Sequence, residues 1–415
     1  MKKEEIKTIV LAYSGGLDTS IIIPWLKENY NGAKIIGVCT DVGQKEDWDA
    51  MKEKAKKSGA AKLYIKDIKE EFAKEYLFKM ARAGALYENK YFLGTSIARP
   101  LQAKHIAEIA LKEGAQAICH GCTGKGNDQI RFELTFKALA PELEIIAPWR
   151  IWDIQSREDA IDYAKAHNVP LGKITKKNIY SRDENMWHIS HEGADLEDPW
   201  NRPKDDLFQL TLSPKKAPDK ECEITIDFEK GFPVALNGKQ MKAHELMFEL
   251  NKYGRENAIG RADLVESRTV GMKSRGVYET PGGTILYNAI NELQMLTMDS
   301  ETLSLKNQLS IRYAELLYTG KWFSAAREAI DAFMESANRY TTGSVKVVLY
   351  KGNIIIAGRK SPYSLYNEDL ASFGASSYDH KDASGFINLF GLSTGVAALA
   401  RKEKKAKSQT KKSSK

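Results

Sequence analysis

The chain has 415 residues, of which 42% are hydrophobic and 28% charged, and it contains 30 Gly and 12 Pro. These proportions are ordinary for a soluble globular protein and exclude disordered, collagen-like and low-complexity classes. At roughly 150 residues per domain, the length predicts two or three domains whose cores need no disulfide or metal to hold them.

The positive charge is confined to the C-terminus. The net charge is +7, and residues 401–415 alone carry eight Lys or Arg against one Glu, so the preceding 400 residues sum to zero. A neutral body lacks the broad basic surface that nucleic-acid binding requires. We therefore expect no nucleic-acid partner, and we interpret the Lys-rich end as a solvated terminus rather than as a tail for an anionic partner.

Cysteine usage and hydropathy predict the compartment. Cys39, Cys119, Cys122 and Cys222 are too few and too scattered for a disulfide framework. No apolar run approaches the roughly 18 residues that a membrane span requires. The short apolar run near the N-terminus breaks off at Ser14, which is unlike a signal peptide. These features predict a reduced, cytoplasmic protein with no membrane partner.

Short apolar runs alternate with helical patterns over the first 150 residues. The runs are rich in Ile and Val, as in parallel strands covered on both faces, and they lie at residues 8–12, 34–38, 63–65, 117–119 and 144–147. The clearest helical pattern spans residues 100–113, with Pro100 at the first helical position and Gly114 as the stop. This alternation predicts the α/β class, with a doubly wound parallel sheet built from right-handed βαβ units.

The pattern changes after about residue 170. Residues 222–229 alternate apolar and polar, which predicts a half-buried antiparallel strand, and the runs at 345–349 and 354–357 flank a hairpin turn at 351–353. Helical patterns run through residues 243–250, 284–317 and 325–336. We predict a first, sheet-based domain over residues 1–169, a second α+β domain over 170–385, and a C-terminal helix with a basic tail over 386–415.

The first predicted strand leads directly into the segment 14–20, SGGLDTS, and then into a helical pattern. Glycines let the backbone approach an anion, and the unpaired N–H groups and the dipole at a helix start favour its binding. The segment lacks the lysine of a Walker loop, so it suits a phosphate that is held rather than a γ-phosphate that is polarised. An ordinary tight turn is the alternative interpretation. Pro24 predicts an irregular helix beyond the segment.

A second glycine-rich segment, HGCTGKGNDQIR at residues 120–131, follows the fourth predicted strand. Ligands bind at the carboxyl ends of the strands in open α/β sheets. The segment supplies hydrogen-bond donors, acceptors and a guanidinium from Thr123, Asn127, Asp128 and Arg131. A glycine-rich surface loop is the alternative interpretation.

Two pairs of potential metal ligands are interpreted as structural. Cys119 and Cys122 form a CxxC pair, but zinc requires four ligands and no second pair is evident. His188 and His191 form an HxxH pair without an accompanying carboxylate motif, which favours structural or substrate-side histidines. We therefore predict no metal held by protein side chains alone.

Six segments together resemble the argininosuccinate synthases, a family of N-type ATP pyrophosphatases. The segment 14–20 alone is shared with GMP synthetase, asparagine synthetase and several tRNA-modifying enzymes, so the combination decides. The segments are AYSGGLDTS at 12–20, DVGQKED at 41–47, ALYENKYFLGTSIARP at 85–100, HGCTGKGNDQIRFE at 120–133, SRDENMWHIS at 181–190 and VESRTVGMKSRGVYETPGGTILY at 265–287. The resemblance covers about residues 6–390 and implies an adenine nucleotide alpha-hydrolase-like nucleotide-binding domain, a synthetase domain and a C-terminal oligomerisation helix.

The resemblance implies site residues position by position. The positions that bind ATP match Ala12, Tyr13, Ser14, Gly15, Gly16, Leu17, Asp18, Thr19, Ser20, Thr40 and Gly121. The positions that bind aspartate match Thr123, Asn127 and Asp128. The positions that bind citrulline match Tyr91, Ser96, Asn127, Arg131, Ser181, Ser190, Glu266 and Tyr278.

The implied reaction is the ATP-dependent ligation of citrulline and aspartate to argininosuccinate. It releases pyrophosphate and AMP through a citrullyl-AMP intermediate, with Mg²⁺ accompanying ATP. Positioning and charge stabilisation are expected to carry such chemistry. The sequence assigns no general base for the aspartate amine. Asp128 is a candidate, and recognition of the ammonium group is the favoured interpretation of that residue.

Two other functions compete with this one. A tRNA-modifying pyrophosphatase would share the loop, the Cys pair and the basic tail, but the neutral body argues against an RNA path. A non-catalytic nucleotide-binding protein is disfavoured by the polar residues retained at every matched position. For assembly, a helical pattern from residue 393 presents Val396 and Leu399 without a local partner, and the resemblance implies a homotetramer.

Overall fold

The computed structural model describes residues 2–154, 156–171, 180–374 and 377–413. Contacts divide the chain into a first unit that ends at Ser364 and a second unit that begins at Leu365. The first unit contains three sheets. The predicted divisions after residues 169 and 385 stay predictions.

The first sheet has five parallel strands in the order β3-β2-β1-β4-β5. The strands are β1 (Thr8–Ala12), β2 (Lys34–Asp41), β3 (Lys62–Asp67), β4 (Ala117–Cys119) and β5 (Glu144–Ile146). All five predicted strands are therefore confirmed, with β2 and β3 longer than their apolar runs. Ile9 and Leu11 face one core cluster and Val10 faces another. The sheet is covered on both faces, which confirms the doubly wound α/β class.

In the part of the chain that the structure describes, seven α-helices connect or cover these strands. They are α1 (Leu17–Asn29), α2 (Trp48–Lys57), α3 (Lys69–Glu71), α4 (Phe78–Ala83), α5 (Gly94–Lys112), α6 (Asp128–Leu139) and α7 (Arg157–Ala166). A π-helical segment, Phe72–Leu77, joins α3 to α4.

The prediction that Pro100 begins its helix is wrong, while the irregularity expected at Pro24 stays a prediction. Helix α5 begins at Gly94 and contains Pro100 in its interior, so Pro100 does not mark its first turn. Helix α1 is continuous across Pro24, although an irregular helix was expected there. A proline removes one helical hydrogen bond. In both helices the neighbouring apolar side chains are almost completely buried, and that packing outweighs the lost bond.

Two antiparallel sheets follow in the first unit, in the orders β10-β9-β8-β13-β14 and β11-β12-β7-β6. Their strands are β6 (Ser181–Glu184), β7 (Ile189–Glu192), β8 (Cys222–Glu229), β9 (Phe232–Leu236), β10 (Lys239–Gln240), β11 (Arg261–Ser267), β12 (Lys273–Glu279), β13 (Gly343–Tyr350) and β14 (Asn353–Lys360). The predicted alternating strand is β8, and the predicted hairpin is β13–β14. Its two turn residues, Lys351 and Gly352, both have positive φ, at 46° and 89°, which matches the right-handed twist of paired strands.

The helices of this region are α8 (Ala243–Glu256), α9 (Pro281–Thr297), α10 (Ser300–Tyr318) and α11 (Ala325–Ala337). The single helical pattern predicted over 284–317 is wrong, because it forms two helices, α9 and α10. Asp299 separates them: its carboxylate accepts hydrogen bonds from the N–H groups of Glu301 and Thr302 and starts α10.

The described residues of the second unit form α12 (Glu368–Ala371), α13 (Lys381–Phe390) and α14 (Leu392–Ser413). The predicted C-terminal helix is thus confirmed, and Val396 and Leu399 are exposed on it. The helical backbone continues through the Lys-rich tail as far as Ser413, and the last two residues lie outside the described range.

Within the described residues, no single helix is long and apolar enough to span a bilayer. Helices α13 and α14 meet the length and composition requirement only when taken together, across a bend of 52°.

Candidate active site

A cleft of about 780 Å³ lies within the first unit, where the carboxyl ends of β1 and β2 meet the loop after β4. The cleft joins elements that are far apart in the sequence. Its lining includes sixteen of the predicted site residues, namely Ala12, Tyr13, Ser14, Asp18, Thr19, Thr40, Tyr91, Gly121, Thr123, Asn127, Asp128, Arg131, Ser181, Ser190, Glu266 and Tyr278. Five predicted residues do not line it: Gly15, Gly16, Leu17, Ser20 and Ser96.

The loop between β1 and α1 is held by its own hydroxyl groups. Ser14 Oγ lies 3.1 Å from Thr19 Oγ1, and Ser20 Oγ donates to the carbonyl of Gly16 over 2.7 Å. Ser20 therefore stabilises the loop through the Gly16 carbonyl and does not itself line the cleft. Because the first N–H groups of a helix have no partner within the helix, the loop presents N–H donors and a positive dipole end to an anion.

Glycine is favoured at one position of this loop by its backbone conformation and at one position opposite it by a close approach. Gly15 has φ +73°, and a Cβ there would lie 3.0 Å from Met51 Cε in α2. A Cβ on Gly121 would lie 3.0 Å from Thr19 Cγ2, so the loop after β4 packs directly on the start of α1. The two glycine-rich segments singled out in the sequence thus form adjoining walls of one cleft.

His120 fixes the second glycine-rich segment at its start. Its side chain is buried, Nε2 lies 3.0 Å from Glu133 Oε1, and Nδ1 accepts a hydrogen bond from the N–H of Cys122 over 3.2 Å. Glu133 also accepts from Arg150 over 2.5 Å. This network ties the turn at residues 120–122 to α6.

Arg99, which the sequence analysis did not single out, connects three parts of the cleft. Its Nε donates to Asp128 Oδ2 over 2.9 Å and its Nη2 donates to Asp183 Oδ2 over 2.7 Å. Arg131 Nη1 donates to the other oxygen of Asp128 over 3.0 Å. Burial alone would raise the pKa of the Asp128 carboxyl, but the charges of Arg99 and Arg131 outweigh it and hold this pKa below its ordinary value. A carboxylate paired in this way is a weak base, which disfavours Asp128 as the proton acceptor.

Tyr318, at the end of α10, is a second residue of this region that the sequence did not indicate. Its hydroxyl accepts a hydrogen bond from Asn127 Nδ2 over 2.9 Å, and its carbonyl accepts one from Arg131 Nε over 3.1 Å. Asn127 Oδ1 accepts from the N–H and the hydroxyl of Thr269 over 2.9 and 2.7 Å. The start of α6 is therefore positioned by residues from the last third of the first unit.

The four predicted residues of the later segments share the sheet β11-β12-β7-β6. Ser181 lies on β6, Ser190 on β7, Glu266 on β11 and Tyr278 on β12, where Tyr278 is the register partner of Ser190. The ring centroids of Tyr278 and Tyr91 lie 4.8 Å apart. This sheet forms the wall of the cleft opposite the parallel sheet's loops.

Glu266 is the most perturbed carboxyl of that wall. Its side chain is 6% exposed, its Oε1 accepts a hydrogen bond from the Tyr278 hydroxyl over 3.4 Å, and its Oε2 has no partner among the described residues. Burial raises the pKa of Glu266 to about 7, against the attraction of Arg131. A buried, unsatisfied carboxylate oxygen in a cleft is suited to a cationic ligand group.

Ser96 and His188 are the other buried polar side chains near this wall that lack a full set of partners. Ser96 Oγ and His188 Nδ1 are buried with no hydrogen-bond partner among the described residues. Burial lowers the pKa of His188 to about 4, so the ring is neutral. Its Nε2 lies 3.2 Å from Thr95 Oγ1, beside the start of α5.

The surroundings of the HxxH and CxxC pairs agree with the structural role predicted for them, which stays a prediction. His191 lies on β7, where its Nε2 is 2.9 Å from Glu279 Oε1, and both side chains are completely buried. Burial raises the pKa of both Cys119 and Cys122, which opposes thiolate formation. Among the described residues, no three His, Cys, Asp or Glu side chains converge as a metal site would need.

Comparison with known protein families gives two matches that together span most of the chain. Residues 8–170 match the model of the arginosuccinate synthase N-terminal HUP domain, and residues 180–397 match that of the arginosuccinate synthase C-terminal domain. An argininosuccinate synthase of Thermoanaerobacter sp. (strain X514) is 58% identical over 398 residues, which cover 96% of this chain and 97% of the relative. The argininosuccinate synthase of Moorella thermoacetica is 59% identical over 392 residues, with 94% and 96% covered.

A third relative, the argininosuccinate synthase of Carboxydothermus hydrogenoformans, is 59% identical over 395 residues and is covered over 98% of its length. Both matching domains, and the cleft that their residues line together, are present in one continuous chain. This chain belongs to the argininosuccinate synthase family.

Proposed function

We propose that this chain ligates L-citrulline and L-aspartate to argininosuccinate at the expense of ATP, which leaves as AMP and pyrophosphate. One observation carries the proposal: the 14–19 loop, the 121–131 segment, and Glu266 with Tyr278 line a single cleft. Relatives that match nearly the full length are named argininosuccinate synthases. The reaction is a ligation that forms a carbon–nitrogen bond.

The first half-reaction forms citrullyl-AMP. The ureido oxygen of citrulline attacks the α-phosphorus of ATP, a P–O bond forms, and the bond to the β-phosphate oxygen breaks, so that pyrophosphate leaves with the electron pair. A ureido oxygen is a weak nucleophile, so alignment with the α-phosphorus contributes much of the rate. We assign the backbone N–H groups and hydroxyls of Ser14 and Thr19 to the departing pyrophosphate, because they line the cleft at a helix start.

The citrulline subsite is assigned to the opposite wall. Glu266, with its unpartnered buried oxygen, suits the α-ammonium group, and Ser181 and Ser190 on neighbouring strands suit the carboxylate. Tyr91 and Tyr278 close the same wall with paired rings. Ser96 and Arg131 complete the set proposed for citrulline, with Ser96 acting through its buried position inside α5.

In the second half-reaction, the amine of aspartate attacks the activated ureido carbon. A C–N bond forms, the C–O bond to the phosphate breaks, and AMP leaves with that oxygen and its electron pair, while the proton that the amine loses passes to the departing phosphate. Thr123 and Asn127 are proposed to position aspartate. Because Asp128 is paired with two guanidinium groups, we assign it to positioning rather than to proton removal.

Magnesium is proposed to accompany ATP. Mg²⁺ bound to a nucleotide takes most of its ligands from phosphates and water, together with one or two carboxylates. Asp18 lines the cleft beside the phosphate loop and suits that role. When bound, the metal supplies charge compensation for the phosphate groups.

We further propose a cytoplasmic homotetramer. The exposed apolar side chains of α13 and α14 support the assembly, since Phe386, Ile387, Phe390 and Leu399 are each more than half exposed in the described chain.

The decisive experiment labels the ureido oxygen of citrulline with ¹⁸O. The purified chain, with ATP, Mg²⁺ and aspartate, should yield one AMP and one pyrophosphate per argininosuccinate, and the label should appear in AMP. Formation of ADP and phosphate, or unlabelled AMP, would contradict the proposed reaction.

A further inference from the structure

A lysine from a neighbouring helix reaches the phosphate loop. Lys54 lies on α2, and its Nζ donates a hydrogen bond to the carbonyl of Gly15 over 2.7 Å. The preceding turn of the same helix places Met51 against Gly15 from the same side. Helix α2 is therefore a second support of the loop, although 39 residues separate Lys54 from Gly15.

The sequence of the loop itself supplies no cation. The segment SGGLDTS contains one carboxylate, Asp18, and neither Lys nor Arg. Pyrophosphate gains negative charge as it leaves, and donors that meet this charge stabilise the transition state. Lys54 brings an ammonium group to this loop from outside its sequence, through the hydrogen bond to Gly15.

The ammonium group of Lys54 is incompletely compensated in the structure. The side chain is half-buried, and no carboxylate of the described residues lies within 4.0 Å of Nζ. Burial lowers the pKa of Lys54, while the more distant charge of Glu46 opposes that shift. A partly desolvated ammonium whose acceptor is a neutral carbonyl gains more from an anion than from that carbonyl.

The other lysines of α2 have different surroundings. Lys52 is exposed and pairs with Asp49, Lys57 is exposed and faces Glu53, and Lys56 is exposed. The helical spacing therefore turns one lysine of the four toward the loop. Lys45 lines the cleft from the preceding loop but has no hydrogen bond to the segment 14–20 among the described contacts, whereas Lys54 is bonded to Gly15 and is not itself among the residues that line the cleft.

We propose that Lys54 is a further residue of the phosphate site, whose ammonium group contacts pyrophosphate as it departs. This inference rests on the proposed function. As the bond between the α-phosphorus and the bridging oxygen breaks, one N–H of Lys54 moves from the carbonyl of Gly15 to a pyrophosphate oxygen. Lys54 keeps its proton throughout, and it takes the place that a Walker lysine occupies within other phosphate loops.

The test compares Lys54→Met, which keeps the aliphatic length, with Lys54→Arg, which keeps the charge. Lys56→Met is the matched control, since it removes an exposed lysine from the same helix. Calorimetric titration of the full chain with magnesium pyrophosphate, and separately with AMP, gives a readout that does not depend on turnover. Thermal unfolding of each variant checks the fold.

We expect Lys54→Met to bind pyrophosphate about tenfold more weakly and AMP within about twofold of the unaltered chain. Its kcat should fall by a similar factor, Lys54→Arg should recover most of both losses, and Lys56→Met should change neither. Unchanged pyrophosphate binding in Lys54→Met would overturn the inference. So would equal weakening of pyrophosphate and AMP binding in both Lys54 variants, because that pattern means a purely structural contact.

The proposed function and this inference can fail separately. If the unaltered chain makes no argininosuccinate but loses pyrophosphate affinity on Lys54→Met, the reaction is wrong and the lysine assignment stands. If the unaltered chain makes argininosuccinate while Lys54→Met binds pyrophosphate normally, the lysine assignment is wrong and the reaction stands. A chain that does not bind pyrophosphate at all overturns the assignment.

Discussion

Arg99 donates a hydrogen bond from Nε to Asp128 over 2.9 Å and one from Nη2 to Asp183 over 2.7 Å. Asp128 begins α6 at the end of the glycine-rich segment, and Asp183 lies on β6 of the antiparallel wall. One side chain from α5 thus joins the nucleotide side of the cleft to the opposite side, and its charge helps to hold the pKa of Asp128 below its ordinary value.

Replacement of Arg99 by Met should destabilise the protein, because two partly buried carboxylates would lose their shared cation. We expect the free energy of unfolding to fall by about 3 kcal/mol, as measured by urea denaturation at pH 7. Arg312→Met is the control, since Arg312 and Glu315 form an exposed pair and its loss should cost less than about 1 kcal/mol. Equal stability of the two variants would contradict the bridging role of Arg99.

Gly15→Ala and Gly16→Ala should behave differently, although the two glycines are adjacent. Gly15 has φ +73° and would meet Met51 at 3.0 Å, whereas Gly16 has φ −65° and would meet only Ser14 Oγ at 3.4 Å. We expect Gly15→Ala to cost about 1–2 kcal/mol of stability and to raise the KM for ATP. Gly16→Ala should be less destabilising, and the reverse order in thermal unfolding would refute this account of the loop.

The parallel sheet could be predicted because its strands are buried on both faces and leave continuous apolar runs. Strand β1 matched its predicted bounds for this reason, whereas β2 continues through Thr40, which is polar yet buried. Helix boundaries were less predictable. Pro100 indicates a first turn by its chemistry, but packing of the preceding turn extends α5 to Gly94.

The parts of the site that a sequence could not reveal depend on distant contacts. The resemblance named Asp128, but Arg99 gains its role from residues 29 and 84 positions away. Lys54 likewise acts on a carbonyl 39 positions away. Asp299 was hidden inside an unbroken helical pattern, because a single capping carboxylate does not interrupt the apolar periodicity around it.

The raised pKa of Glu266 predicts a pH dependence of stability. Because the folded pKa of about 7 exceeds the ordinary value of 4.5, the folded protein binds the extra proton. Stability is therefore lost as the pH rises from about 4.5 through about 7. Glu266→Gln should be more stable than the unaltered chain at pH 8, by on the order of 3 kcal/mol, and nearly equal to it at pH 4.5. A difference independent of pH would contradict this expectation.

The same carboxyl should release a proton when citrulline binds. If the ammonium group of citrulline pairs with Glu266, it stabilises the ionised form, so binding near pH 6.5 should release a fraction of a proton. Titration calorimetry in buffers of different ionisation enthalpy measures this release. Glu266→Gln should abolish it. A release that persists in the variant would assign the proton to another group and remove Glu266 from the ammonium subsite.

Truncation after Gly391 tests the proposed tetramer, since it removes α14 with its exposed Val396 and Leu399. We expect the molar mass from light scattering to fall below that of four chains. Truncation after Thr410, which removes five residues, is the control and should leave the mass of the assembly at four chains. A mass unchanged by the longer truncation would defeat the proposed role of the helix.

The hydrogen bonds between Tyr318 and the start of α6 restrict which fragments and chimeras of this chain can keep the site intact. Asn127 and Arg131 find their partner 191 and 187 residues later, at the end of α10. A fragment that stops near residue 170 can complete its parallel sheet, yet it lacks the hydroxyl and the carbonyl that orient these two side chains. Chimeras between relatives should therefore remain active only when the segment that contains the parallel sheet and α6 comes from the same parent as α10, which ends at Tyr318.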